Sequence, residues 1–228
     1  MTRETQRTFS HFSVVSFTPA YWGLSAGERQ TLRQTWLDGV SAGADATHLY
    51  QTFAANTGDL LLWCAAARGD PAVPRQFFEA FGRATLPVRR YLEVGTTLWG
   101  FTRPSQYTKV RSTQELDPFA GDRHPYLIIY PFVKTTEWYL KNRSERQELM
   151  AQHIKVGKQY QDITQLLLYS FGLQDQEFVV VYETSDLTRF LALVEELRGT
   201  EARVYTLRDT PLHLGVHQDG AEALAAWL

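Results

Sequence analysis

The residues best equipped for chemistry gather around His153. Leu149, Met150, Val156, Gly157 and Tyr160 stand three, four or seven positions from it, the spacing of one helix face. Of the six histidines it is the only one this pattern sets within a helix. An imidazole on such a stripe has two uses. It can be a core side chain hydrogen-bonded to a carbonyl. It can also be an axial metal ligand, which requires a neutral ring in a dry site with its second nitrogen held by an acceptor. Gly157, one turn further on, leaves room for a bulky planar group beside the helix.

The segment Tyr126 to Lys134 reads as a strand. Alternation groups Ile128, Tyr130, Phe132 and Lys134 on one face, and Leu127, Ile129 and Val133 on the other. A phenol and an ammonium thus share an otherwise apolar face. If that face lines the interior, Lys134 needs an anion and Tyr130 a partner for its hydroxyl; otherwise Lys134 ends the strand and extends to water. The two are separated by about 13 Å at ~3.3 Å per residue, so they can serve opposite parts of one large ligand. Ile163 to Ser170 likewise presents Gln165, Leu167 and Tyr169 together, and an amide among large apolar groups calls for a bound partner.

These segments belong to a series of elements that occurs twice. The first half, 1–101, reads as strand (Phe9 to Phe17), helix from a Ser25-x-x-Glu28 capping box, strands near His48 to Phe53 and Asp59 to Ala67, helix after Asp70-Pro71, and strand Leu92 to Phe101. The second half, 126–228, repeats the order. It has the Tyr126 strand, the His153 helix from a Ser144-x-x-Gln147 box, strands Ile163 to Ser170 and Glu177 to Thr184, a helix capped by Ser185, and a strand over Val204 to Val216. Two β-α-β-β-α-β units are two ferredoxin-like halves, each with a sheet face to cover. The expectation is an α+β fold in which the halves close side by side into a barrel with the helices outside. The linker, 102–125, is too long for a tight connection and could reach over a pocket.

Composition narrows the field. Apolar residues at 44% and charged residues at 21% exclude disordered and fibrous classes. Lys plus Arg (23) nearly balances Asp plus Glu (25), which gives no general attraction to nucleic acid or an anionic membrane. The longest apolar runs fall far short of a bilayer span, and the polar first ten residues lack a signal core, so a cytoplasmic location is expected. Cys64, the single cysteine, excludes an internal disulfide and cysteine-based zinc or iron–sulfur sites, and reads as an inert core thiol. His213 and His217, and Glu177 and Glu183 beside the valine-rich strand, read as solvent-facing or, for the glutamates, as facing a neighbouring subunit.

Tyr130-Pro-Phe-Val-Lys134, Glu137-Trp-Tyr-Leu140, the stretch Glu145 to Tyr160 with His153 and Gly157, Tyr169 to Phe178, and Thr200 to Pro211 together resemble the chlorite dismutase family of haem proteins. The close likeness covers about Tyr126 to Leu214; the first half agrees only in element order. The resemblance implies a dimeric α+β barrel, usually in a pentamer, with haem in the C-terminal half. His153 matches the iron ligand. Tyr130 matches the tyrosine that, in the coproheme decarboxylase branch, is oxidised to a radical attacking a propionate. Lys134 and Trp138 match residues of the propionate wall. At the distal position, where chlorite dismutases carry arginine, this chain has Gln165, with Leu166 as the alternative register; neither suits chlorite chemistry. Phe132 stands where one large group has methionine. The activity implied is hydrogen-peroxide-dependent oxidative decarboxylation of coproheme to haem b, in haem biosynthesis. Alternatives are a chlorite dismutase or weak peroxidase of the same family, or a non-catalytic haem-binding barrel. Coproheme carries four carboxylates, for which Arg103, Lys109 and Arg111 in the linker are candidate partners.

Overall fold

A computed structural model of the chain describes residues 8–55, 57–67, 70–103 and 114–224. The N-terminal half runs β1 (Thr8–Phe17), α1 (Pro19–Trp22), α2 (Ala26–Ser41), β2 (Ala46–Gln51), β3 (Leu60–Ala67), α3 (Val73–Thr85) and β4 (Leu92–Phe101). The C-terminal half runs β5 (Tyr126–Lys134), α4 (Thr136–Leu140), α5 (Arg143–Gly157), β6 (Thr164–Tyr169), β7 (Phe178–Thr184), α6 (Leu187–Arg198), β8 (Thr206–Arg208), β9 (His213–Gln218) and α7 (Ala221–Leu224).

Local chemistry explains most boundaries. Ser25 and Glu28 form the expected reciprocal box at α2. On α5 the box forms two residues earlier than expected: Asn142 accepts from Glu145 N, and the Glu145 carboxylate accepts from Asn142 N. At α6 the cap is Asp186 rather than Ser185, because its carboxylate reaches the backbone of both Thr188 and Arg189. The expected final strand is broken into a 3-10 turn (Glu201–Tyr205), β8 and β9.

The strands of each half pair in the ferredoxin-like order, β4-β1-β3-β2 and β9-β5-β7-β6. β2 joins β9, and Phe101 of β4 pairs with Tyr169 of β6, so the pairings run in a closed cycle. Beside that narrow β4–β6 seam, Glu115 bridges Gln165 in parallel, and Leu116 N donates to Gln165 O at 2.9 Å.

One apolar cluster draws on both halves: Phe12, Val14, Tyr50, Leu61, Trp63 and Leu98 meet Leu127, Ile129, Leu166, Leu168, Val179 and Val181. At Gly215 a Cβ would stand 2.6 Å from that of Tyr50, which is why β9 carries no side chain there. A second cluster packs α2 and α3 on the N-terminal sheet, and a third packs α6 and the segment after α5 on the C-terminal one.

Two polar expectations are corrected inside this framework, and that of Cys64 as a core thiol is met. Glu183 does not face solvent: it is 1% exposed, accepts from Tyr50 Oη at 2.8 Å and lies 3.5 Å from Arg123 Nη1. Strand alternation turns it to the same side as Val179 and Val181, so it must pair there. His213, next to the same interior, is buried rather than solvated. Cys64 is fully buried, and burial pushes its thiol up to about 12.

Candidate functional site

The outer face of the C-terminal sheet carries the candidate site. Register places Tyr130 opposite Val180, Phe132 opposite Phe178, and Gln165 opposite Tyr182. Ile128, Tyr130 and Phe132, Phe178, Val180 and Tyr182, and Gln165, Leu167 and Tyr169 therefore point one way, toward the side on which α5 and α6 lie. The face of Tyr130 and Lys134 is thus not the ring interior. Leu127 and Ile129 take that position because their side of β5 is wholly apolar.

Gln165 is exposed and Leu167 is 41% exposed, whereas Leu166 and Leu168 lie in the ring core. The expectation of an amide buried among apolar groups is therefore corrected: Gln165 stands at an open position. Leu166, turned into the core, cannot share its face.

Tyr130 is half-buried, with Tyr182 as neighbour; their ring centroids are 6.2 Å apart at 29°. Desolvation, then the adjoining Tyr182 phenol, raises the Tyr130 hydroxyl well above 10. Lys134 ends the strand with its Nζ 4.3 Å from the Trp138 ring centroid and 5.1 Å from that of Phe132. The ammonium donates to Ala202 O at 3.2 Å. Burial, with Arg203 nearby, brings Lys134 down to about 8. Trp138, on α4, is buried against Tyr205.

His153 sits on the half-buried face of α5 with Leu149, Met150, Val156 and Gly157. The stripe was expected to be buried, but no residue of α5 is fully buried. Desolvation, with the Lys134 charge second, lowers His153 to about 4, so the imidazole is neutral near pH 7. A Cβ on Gly157 would meet nothing within 4 Å, leaving space at that turn of the helix.

Two arginines that the sequence patterns did not single out lie close by. Arg203 Nη1 and Arg198 Nη2 share the Asp209 carboxylate, at 2.5 and 3.5 Å. Asp209 and Arg198 both act electrostatically on Tyr130, and Arg203 acts on Lys134. Glu177 accepts from Lys134 N at 2.8 Å and from the Tyr139 hydroxyl. Lys134, Arg198 and Arg203 are three cations against the two carboxylates Asp209 and Glu177. Arg203 and Asp209 fall within the matched stretch Thr200 to Pro211, the one signal that could have found them. Of the linker cations, Arg103 is exposed with its guanidinium 5.0 Å from the Tyr169 ring centroid. Lys109 and Arg111 lie outside the described residues.

A neutral imidazole beside an open glycine, a cation-rich wall and a protonated phenol form a donor set that fits an iron porphyrin bearing carboxylates. The chain belongs to the chlorite dismutase family, whose profile, described as chlorite dismutase, matches residues 26–218. Among curated relatives, a protein of Mycolicibacterium smegmatis named coproheme decarboxylase is 31% identical over 115 residues, 50% of this chain and 48% of that protein. One of Thermus thermophilus with the same name is 28% identical over 212 residues, 88% of this chain and 82% of that protein. The match thus spans about half the length of the mycobacterial relative. Chlorite dismutase from Candidatus Nitrospira defluvii, solved with imidazole, superposes with a TM-score of 0.81 at 23% identity, covering 96% of this chain and 94% of that one. That likeness shows the two-unit ferredoxin-like α+β fold. No helix among the described residues is long and apolar enough to cross a membrane.

Proposed function

We propose that the protein converts coproheme to haem b by hydrogen-peroxide-dependent oxidative decarboxylation of two propionates. The observation that carries this reading is the shared face of β5: the Tyr130 phenol and the Lys134 ammonium stand on one side of one strand, beside the His153 helix. The curated relatives support it, and so does a neutral amide, Gln165, where chlorite chemistry calls for a cation.

When bound, the iron porphyrin supplies the oxidising chemistry, drawn from peroxide. For each propionate, one carboxylic acid side chain and one hydrogen peroxide become one vinyl group, one carbon dioxide and two waters. His153 holds the iron through a neutral ring nitrogen. Tyr130 keeps its proton at neutral pH, so its phenol gives up an electron and a proton together, then takes a hydrogen atom from the propionate chain. Lys134, with Arg203 and Arg198 behind it, orients carboxylates by charge. Trp138 and Phe132 wall the ammonium and exclude water on that side. Gln165 offers a neutral donor on the same face, without the fixed charge needed to hold an oxyanion. The family's pentameric assembly belongs to the same proposal.

The test mixes purified protein with ferric coproporphyrin III and peroxide and follows the porphyrin by mass spectrometry, with a parallel chlorite arm. Two successive losses of carbon dioxide with two hydrogens are expected. Rapid oxygen release from chlorite with an unchanged porphyrin would overturn the reading in favour of chlorite dismutation. Binding without turnover in either arm would leave a non-catalytic haem protein.

A further inference from the structure

A single buried residue of the linker joins the two walls of the candidate site. Gln114 is 9% exposed. Its side-chain amide donates to Gly157 O at 3.1 Å, Tyr160 O at 2.7 Å and Ile163 O at 3.3 Å. These carbonyls mark the C-terminal end of α5 and the turn into β6; Gly157 O and Tyr160 O also accept from Tyr160 N and Ile163 N, each at 3.1 Å. Its own carbonyl accepts from Gln165 N at 2.8 Å, and Leu116 N, two residues on, donates to Gln165 O at 2.9 Å. The same residue thus grips the helix end one turn beyond His153 and the main chain of Gln165.

We infer that Gln114 is a positioning residue that fixes the His153 imidazole relative to the Gln165 strand, and so sets iron ligation geometry. The inference rests on the proposed iron-porphyrin reading. Segment 158–163 is the covalent connection between α5 and β6; Tyr160 and Asp162 tie it to Glu196 and Arg189 of α6, which leaves the helix end free to shift against β6. The amide removes that freedom by gathering three carbonyls on one planar group, and its backbone fixes the same amide to β6. Two donor hydrogens serve three acceptors, so the arrangement depends on donation and not merely on filled volume. The identity of the residue therefore matters: a side chain of similar size without N–H groups removes the donor to Ile163 O and the second donor to Gly157 O and Tyr160 O.

The experiment compares the full-length wild type with Gln114→Met, which keeps approximate volume without donors, and Gln114→Lys, which restores donors and suits a helix C-terminus. Amide hydrogen exchange in the porphyrin-free protein is read at residues 158–165, with β1 and β3 amides reporting that the fold persists. Ferric coproporphyrin III is then titrated, and its affinity and Soret and charge-transfer bands are recorded. For Gln114→Met, exchange at 158–165 is expected to rise about tenfold and porphyrin affinity to fall about tenfold, with altered ligation bands. Gln114→Lys is expected to restore both readings to within about threefold. Wild-type bands and affinity in Gln114→Met, even with faster exchange, would overturn the inference while leaving the functional reading standing. Equal damage in both variants would also overturn it, since shape alone would then matter. A wild type that binds no ferric porphyrin would overturn the functional reading and, with it, the positioning role.

Discussion

Tyr130 and Tyr182 lie side by side on neighbouring strands, their ring centroids 6.2 Å apart and their planes inclined by 29°. Both phenols are raised above the ordinary value chiefly by burial. Each hydroxyl therefore holds its proton across the neutral range. Only Tyr130 belongs to the strand that also carries Phe132 and Lys134. Tyr130→Phe should keep porphyrin affinity within about threefold, because only one hydroxyl is removed. It should also abolish decarboxylation. Normal carbon dioxide loss in that variant would refute the radical role.

Lys134 gives the binding step a pH signature. Its pKa lies near 8, below the ordinary 10.5, because burial disfavours the charged form. Below that value the ammonium is present and attracts a carboxylate; above it the charge is lost. Coproporphyrin affinity should hold steady toward neutral pH and fall as pH rises through about 8. Lys134→Met should bind more weakly at pH 7 and lose the break. An unchanged break in the variant would reassign the titration to another group.

The stability contribution of His153 has the opposite pH dependence. Its folded pKa of about 4 lies below the ordinary 6.5, so the unfolded chain binds more protons between these values. Its contribution to stability is complete above 6.5 and is lost as pH falls toward 4. Relative to that of His153→Phe, the wild-type denaturation midpoint should therefore fall as pH drops from 7 toward 4. A difference between the two that is constant across the range would contradict the lowered pKa.

Much of this was legible in the chain. Alternation on β5 sorted Tyr130 and Lys134 from Leu127 and Ile129, and the repeated element order gave the two halves. Which face of β5 looks inward was not legible. A four-stranded sheet has two candidate faces, and the choice depends on how the other half packs against it. The burial of Glu183 escaped for the same reason: its partners Tyr50 and Arg123 come from a different half and from the linker. Helix caps shifted because Asn142 and Asp186 compete with the neighbouring serines, and backbone entry angle decides between them. The role of Gln114 is a tertiary contact with no local pattern.

The register at β6 has its own stability test. Leu166→Gln inserts an amide into the ring core and should destabilise the protein by about 1–3 kcal/mol. Gln165→Leu changes an exposed position and should stay within about 0.5 kcal/mol. Denaturant midpoints check both; equal losses would contradict the assignment of faces.

Glu183 predicts a coupling between the C-terminal half and the linker. Removing its carboxylate as Glu183→Leu leaves Arg123 buried without a counter-charge and should cost about 3–5 kcal/mol. Adding Arg123→Met should recover part of that loss, because the stranded charge is gone. A double variant that loses the sum of the single effects would show that the pair does not interact.

The ferric Soret spectrum of His153→Ala with coproporphyrin is the most direct measurement. Loss of the band, or its gross displacement relative to the wild type, is the expected result, with recovery when free imidazole is added. An unaltered spectrum would contradict ligation of iron by this side chain.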